Sequence, residues 1–85
     1  MNFTELISQA GRQRRTVRLT FRGKVDEQQV ESAELEPYNT REFGGKVSLF
    51  CLDVERCVCL NVDLASIIDA EITNHSFKPR FPVAF

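Results

Sequence analysis

From Glu34 to Val62 the chain reads ELEPYNTREFGGKVSLFCLDVERCVCLNV, and apolar residues there keep returning on alternate positions. Alternation with a period of two is the mark of strands with one face buried. Gly44-Gly45 separates two such runs, and adjacent glycines supply the positive φ that a tight hairpin turn needs. A second turn is expected at Asp53 to Arg56. The segment therefore predicts two hairpins sharing the middle strand Lys46 to Leu52. Pairing Leu52 with Cys57 aligns Val47, Leu49 and Cys51 with Val58, Leu60 and Val62 on one apolar face. A slip of one residue would scatter that face.

Upstream, Phe3, Leu6, Ile7 and Ala10 follow the i, i+3, i+4, i+7 spacing of an amphipathic helix. Asn2 is placed to cap it, Glu5 stands at the acidic position of a capping box, and Gly11 follows as a C-cap glycine would. Two turns of helix are not stable alone in water, so the stripe must dock on the sheet. Arg14 to Arg22 alternates next, with Val17, Leu19 and Phe21 on one side and Arg18, Thr20 and Arg22 on the other. Gly23 to Gln28 reads as a loop. The apolar parity changes between Val30 and Ala33, which places a bulge near Glu31–Ser32 or a late strand start. Pro37 belongs at an edge or bend.

Asp63 can cap a single turn through Leu64-Ala65-Ser66. Ile67 to Ile72 forms a last strand whose partner is open, because Ile67, Ile68, Ala70 and Ile72 do not alternate cleanly. The tail SFKPRFPVAF carries Pro79 and Pro82 and is too rich in phenylalanine to be free, so it should lie extended over the core. One helix and about five short strands predict a mainly β domain spanning residues 1–85. The expected form is a small, strongly bent antiparallel sheet or partly open barrel.

Composition narrows the function classes. At 42% hydrophobic and 27% charged residues the chain is an ordinary globular one rather than a disordered one. It lacks an apolar run of membrane-spanning length, so no membrane partner is expected. It also lacks the layout of a secretion signal, and its three cysteines include no C-x-x-C pair. These features predict reduced thiols in a cytoplasmic setting. The net charge of −1 is unevenly spread. Residues 1–24 carry six basic side chains against Glu5 alone, giving +5, and residues 25–85 carry −6. A basic front end can meet nucleic acid, or it can meet the acidic half of its own fold.

Reaction chemistry is absent from the pattern. His75 has no nucleophile or orienting acid assigned to it by sequence. Glu34 and Glu36 alternate on what should be the solvent side. Cys57-x-Cys59, His75 and Cys51 would make an irregular metal set, since Cys51 faces away from the other two. Catalytic residues, metal ligands and cofactors are therefore not assigned. The one feature with functional weight is the basic strand, where Arg18 and Arg22 share a face roughly 13 Å apart. That spacing suits successive phosphates of a single strand.

The sequence also resembles a known family. LISQAGRQRRTVRLTFRG looks like the opening helix and arginine-rich first strand of the WYL domain. EPYNTREFGGKVSLFCLD resembles its Glu-Pro entry, turn and Trp-Tyr-Leu strand. DLASIIDAEIT is similar to its Arg-Leu-Asp-Arg-Ile turn and last strand, and FKPRFP to its tail. The resemblance implies an Sm-like, SH3-type barrel of the kind that follows a helix-turn-helix in bacterial transcriptional regulators. Such domains sense nucleic acid or a nucleotide-like ligand. Residues 1–12 hold only one short helix, which implies a lone effector module, a fragment, or a subunit of a partner regulator. The Trp-Tyr-Leu positions are Val47, Ser48 and Leu49, and the turn is Asp63-Leu64-Ala65-Ser66-Ile67, without its arginines.

Two functional expectations result. In the first, a regulatory module binds single-stranded nucleic acid or a nucleotide-like anion through Arg18, Arg22, Lys46 and Ser48. In the second, a module that has kept the fold but lost the ligand face dimerises or docks on another protein. It would use the apolar face of Phe50, Leu52, Cys57 and Cys59 together with the tail.

Overall fold

A computed structural model describes residues 2–23 and 25–85. Helix α1 (Phe3–Arg12) is followed by strands β1 (Arg15–Arg22), β2 (Val30–Phe43), β3 (Lys46–Asp53) and β4 (Val58–Asp63). A 3-10 turn (Leu64–Ser66) then leads to β5 (Ile67–Ser76). The five strands are antiparallel to their neighbours in a single sheet of order β4-β3-β2-β1-β5. β4 and β5 do not pair, so the sheet is curled but open rather than closed.

The expected caps form. Asn2 accepts a hydrogen bond from the Glu5 amide at 2.8 Å, and Asp63 accepts one from the Ala65 amide at 3.0 Å. Ile7 and Ala10 carry α1 onto β1, β2 and β5, joining a core of Val17, Leu19, Leu35, Leu49, Cys51 and Val62. Gly11 is not the C-cap. It lies inside the helix, which ends at Arg12 and is capped by Gln13, and Arg14 takes the left-handed conformation (φ 58°).

Both hairpins exist, with one change of register. Gly44 (φ 57°) and Gly45 (φ 81°) form the two-residue turn that pairs Phe43 with Lys46. The second loop spans Val54 to Cys57, so Leu52 pairs with Cys59 rather than with Cys57, and Leu49 faces Val62. The cause is Asp53. Its carboxylate accepts from the amides of Glu55 and Arg56, and its carbonyl accepts from Cys57 at 2.8 Å. This closes a four-residue loop in which Cys57 adopts φ 55°. The displacement is two residues, an even number, so the apolar face survives.

The bulges also lie elsewhere. β2 pairs with β1 without a break from Val30 to Leu35, so there is none at Glu31–Ser32. The extra residue on β2 is Tyr38, next to Pro37 and beyond the reach of the β1–β2 pairing. β5 pairs with β1 and carries an irregularity between Ile67 and Asp69. That leaves Ile68 unpaired and exposed, which accounts for the broken alternation.

The tail crosses the outer face of β2 and β3. Phe77 is buried there with Tyr38 and Leu52, and Phe50 and Val83 pack against them. Phe81 meets the rings of Tyr38 and Phe50 edge to face at 5.2 and 5.4 Å. The Ala84 amide donates to the Tyr38 carbonyl at 2.9 Å. The Phe50–Leu52 face, expected to be open for a partner, is occupied by the chain's own C-terminal segment.

Candidate anion site

The four residues expected to bind an anion separate into two places. Arg18 stands mid-strand on the outer face of β1, opposite Glu34 of β2 on one side and Glu71 of β5 on the other. Its Nη2 lies 3.7 Å from Glu34 Oε1. Glu34 is the hub of that face. Thr16 Oγ1 donates to its Oε2 at 2.9 Å, and His75 Nδ1 lies 3.1 Å from the same oxygen. Burial alone would raise the Glu34 pKa, but the hydrogen bonds from His75 and Thr16 and the charge of Arg18 outweigh it and bring it below the usual carboxylate value. Part of the basic front end thus meets the acidic half of its own fold.

Arg22, Lys46 and Ser48 meet at a different point. Arg22 ends β1, and Lys46 opens β3 directly after the glycine turn. Ser48 lies opposite Asp63, the last residue of β4. Curling of the sheet brings these ends around one cleft of about 560 Å³, lined also by Gly23, Glu27, Ala65 and Ser66. Among the described residues neither Arg22 nor Lys46 has a carboxylate within ion-pairing distance. One wall is the 3-10 turn, fixed by the Asp63 cap and by Ser66 Oγ donating to the Asp63 carbonyl at 2.7 Å. The cleft therefore combines two free cations and hydroxyls with the carboxylates of Glu27 and Asp63.

Two polar clusters were not legible in the strand pattern. The Glu34–His75 pair joins residues 41 positions apart, on β2 and β5, and only the β1–β2 and β1–β5 registers together bring them to the same face across β1. Glu36 is 5% exposed rather than solvated. It accepts a 2.5 Å hydrogen bond from the Tyr38 hydroxyl, with Arg80 Nε at 3.8 Å. The Arg80 amide in turn donates to Tyr38 Oη at 3.2 Å. The spacing of Glu36 and Tyr38 puts both on one side of a strand, but nothing local reveals that the tail will cover them. Among the cysteines, Cys51 is buried and its thiol is pushed up to about 12, chiefly by burial, whereas Cys57 and Cys59 are exposed. Among the described residues no helix is long and apolar enough to cross a membrane.

No family model matches the sequence, and no curated protein matches it. The solved structures similar to it include proteasome accessory factor B/C (PafBC) of Arthrobacter aurescens, with a TM-score of 0.78 over 94% of this chain at 16% identity. The chain spans 13% of the length of that protein. At this identity the two share a fold.

Proposed function

We propose that the chain is a non-catalytic regulatory module of WYL type that takes a nucleotide-like anion, or a single strand of nucleic acid, into the cleft between β1, β3 and the 3-10 turn. The observation that carries this reading is the meeting of Arg22 of β1 with Lys46 and Ser48 of β3, neither cation having an ion pair among the described residues. Arg22 offers a planar fork to two phosphate oxygens, Lys46 adds a point charge, and the Ser48 hydroxyl adds a hydrogen bond. Glu27 and Asp63 would repel a bare polyanion, but they accept hydrogen bonds from ribose hydroxyls or base amino groups. That mixture favours a nucleotide over inorganic phosphate. The fold shared with part of an accessory factor, and the WYL-like order of the sequence, support an auxiliary role.

Arg18 has no part in this site, because Glu34 and Glu71 flank it. The test is a titration of labelled single-stranded DNA, single-stranded RNA and mononucleotides at two salt concentrations. Binding should weaken with salt, by a slope of about 0.7 per phosphate contact for a single strand. Arg22→Ala and Lys46→Ala should each weaken it by about tenfold, in line with the loss of one charge-assisted hydrogen bond, while Arg18→Ala leaves it unchanged. No binding at low salt, or binding indifferent to salt, removes the proposal.

A further inference from the structure

A second groove of about 520 Å³ lies beside the anion cleft, bounded by β4, by the first residues of β2 and by the loop after Asp53. Both strands that border it have an edge without a partner. β4 pairs with β3 only. β2 pairs with β1 from Val30 onward, but β3 reaches it only at Leu35, because the chain turns away after Asp53. Edges of this kind hold unpaired peptide groups and accept an added strand.

The side chains around the groove indicate what that strand must look like. Phe21, Ala33, Leu60 and Val62 make an apolar floor. Glu31 stands opposite Phe21, at the core-facing parity of β2, yet it is exposed at the groove rim. Across the groove stands Glu55, also exposed. Among the described lining residues five carboxylates face only two guanidinium groups, Arg22 and Arg56. Asp53 is already satisfied by the amides of its own loop, whereas Glu31 and Glu55 have no ion pair among the described residues.

We propose that this groove docks an extended, basic segment of a partner protein as an added strand along β4. Alternate residues of the segment point to opposite sides. The set facing the floor is apolar and rests on Leu60 and Val62, and the set pointing away from it carries lysine or arginine, whose long side chains reach over the rim to the exposed carboxylates of Glu31 and Glu55. β4 has six residues, so the occupant is a segment of comparable length, roughly 20 Å when extended. The same carboxylates oppose a nucleic-acid strand here, so this surface is distinct in charge from the neighbouring cleft.

The test is an amide-resolved NMR titration of the 85-residue chain with a synthetic peptide of about eight residues, alternating valine and lysine. Shifts confined to 58–63 and 31–33 are expected. A peptide with glutamate in place of lysine, and one with a central proline, should fail to bind. The double variant Glu31→Lys/Glu55→Lys alters two exposed side chains, and a far-UV spectrum confirms its fold. It should weaken the valine–lysine peptide at least about tenfold by loss of complementary charge. Lys46→Ala lies outside this groove and should leave peptide binding intact, which separates the result from that of the anion cleft. Equal binding of the proline peptide, shifts centred on Glu34 and Glu71, or an unaffected double variant would each overturn the proposal. So would displacement of the peptide by single-stranded RNA from the groove amides.

Discussion

Gly11 lies directly under the ring of Phe85: a Cβ at that position would overlap the phenyl edge. The glycine therefore belongs to packing between the helix and the last residue of the chain, and does not terminate the helix. In an unobstructed helix interior, alanine would gain about 1 kcal/mol over glycine. Here Gly11→Ala should destabilise by about 1–3 kcal/mol, because the Phe85 ring must leave its site. In a Phe85→Ala background the same change should be neutral or stabilising. Urea unfolding of the two singles and the double measures the coupling, and a raised midpoint for Gly11→Ala alone contradicts the packing.

Tyr38 is the sole tyrosine and tryptophan is absent, so its ionisation can be followed without interference. Burial, aided by the hydrogen bond to Glu36, pushes its pKa up to about 12. The fold thus prefers the neutral phenol. The stability this supplies is complete below pH 10, the ordinary value, and is lost as pH rises toward about 12. Two pH units correspond to about 2–3 kcal/mol. Tyrosinate absorbance should rise together with unfolding in that window, not near pH 10. Tyr38→Phe should cost about 1–3 kcal/mol at neutral pH by leaving the Glu36 carboxylate poorly paired.

Glu34 titrates with the opposite sign. Its pKa is lowered in the fold, so its contribution is present above the ordinary carboxylate value near 4.5 and is lost as pH falls through the lowered one. Glu34→Gln should flatten the acid limb of the stability curve. It should leave the alkaline limb unchanged. An acid limb identical to that of the parent chain would show that the His75–Thr16–Arg18 cluster contributes nothing.

Cys57 holds a left-handed conformation that costs a side chain about 1 kcal/mol and costs glycine little. Cys57→Gly should raise stability by about 0.5–1 kcal/mol. Asp53→Ala removes the acceptor of two loop amides from a residue 3% exposed and should lower it by about 1–3 kcal/mol. Thermal unfolding of the two variants should shift in opposite directions.

Local pattern was enough to place the helix over Phe3–Ala10, the alternating β1, the Gly44-Gly45 turn and the Asp63 cap, because each follows from interactions within a few residues. It also gave the mainly β class and the Leu49–Cys51–Val62 face, since burying a face needs only period-two spacing. The register of the second hairpin was legible only to within an even step, because a shift of two residues preserves that face and the Asp53 loop made the choice. Which residues share a site depended on long-range pairing. The β1–β2 and β1–β5 registers together set His75 against Glu34 across β1 and flanked Arg18 with Glu34 and Glu71. Curling of the sheet gathered Arg22, Lys46 and Ser48. Covering by the tail turned Glu36, expected on the solvent side, into a buried partner of Tyr38, and closed the Phe50 face. Contacts between positions tens of residues apart leave no periodic trace in the chain, so only the folded structure could decide them.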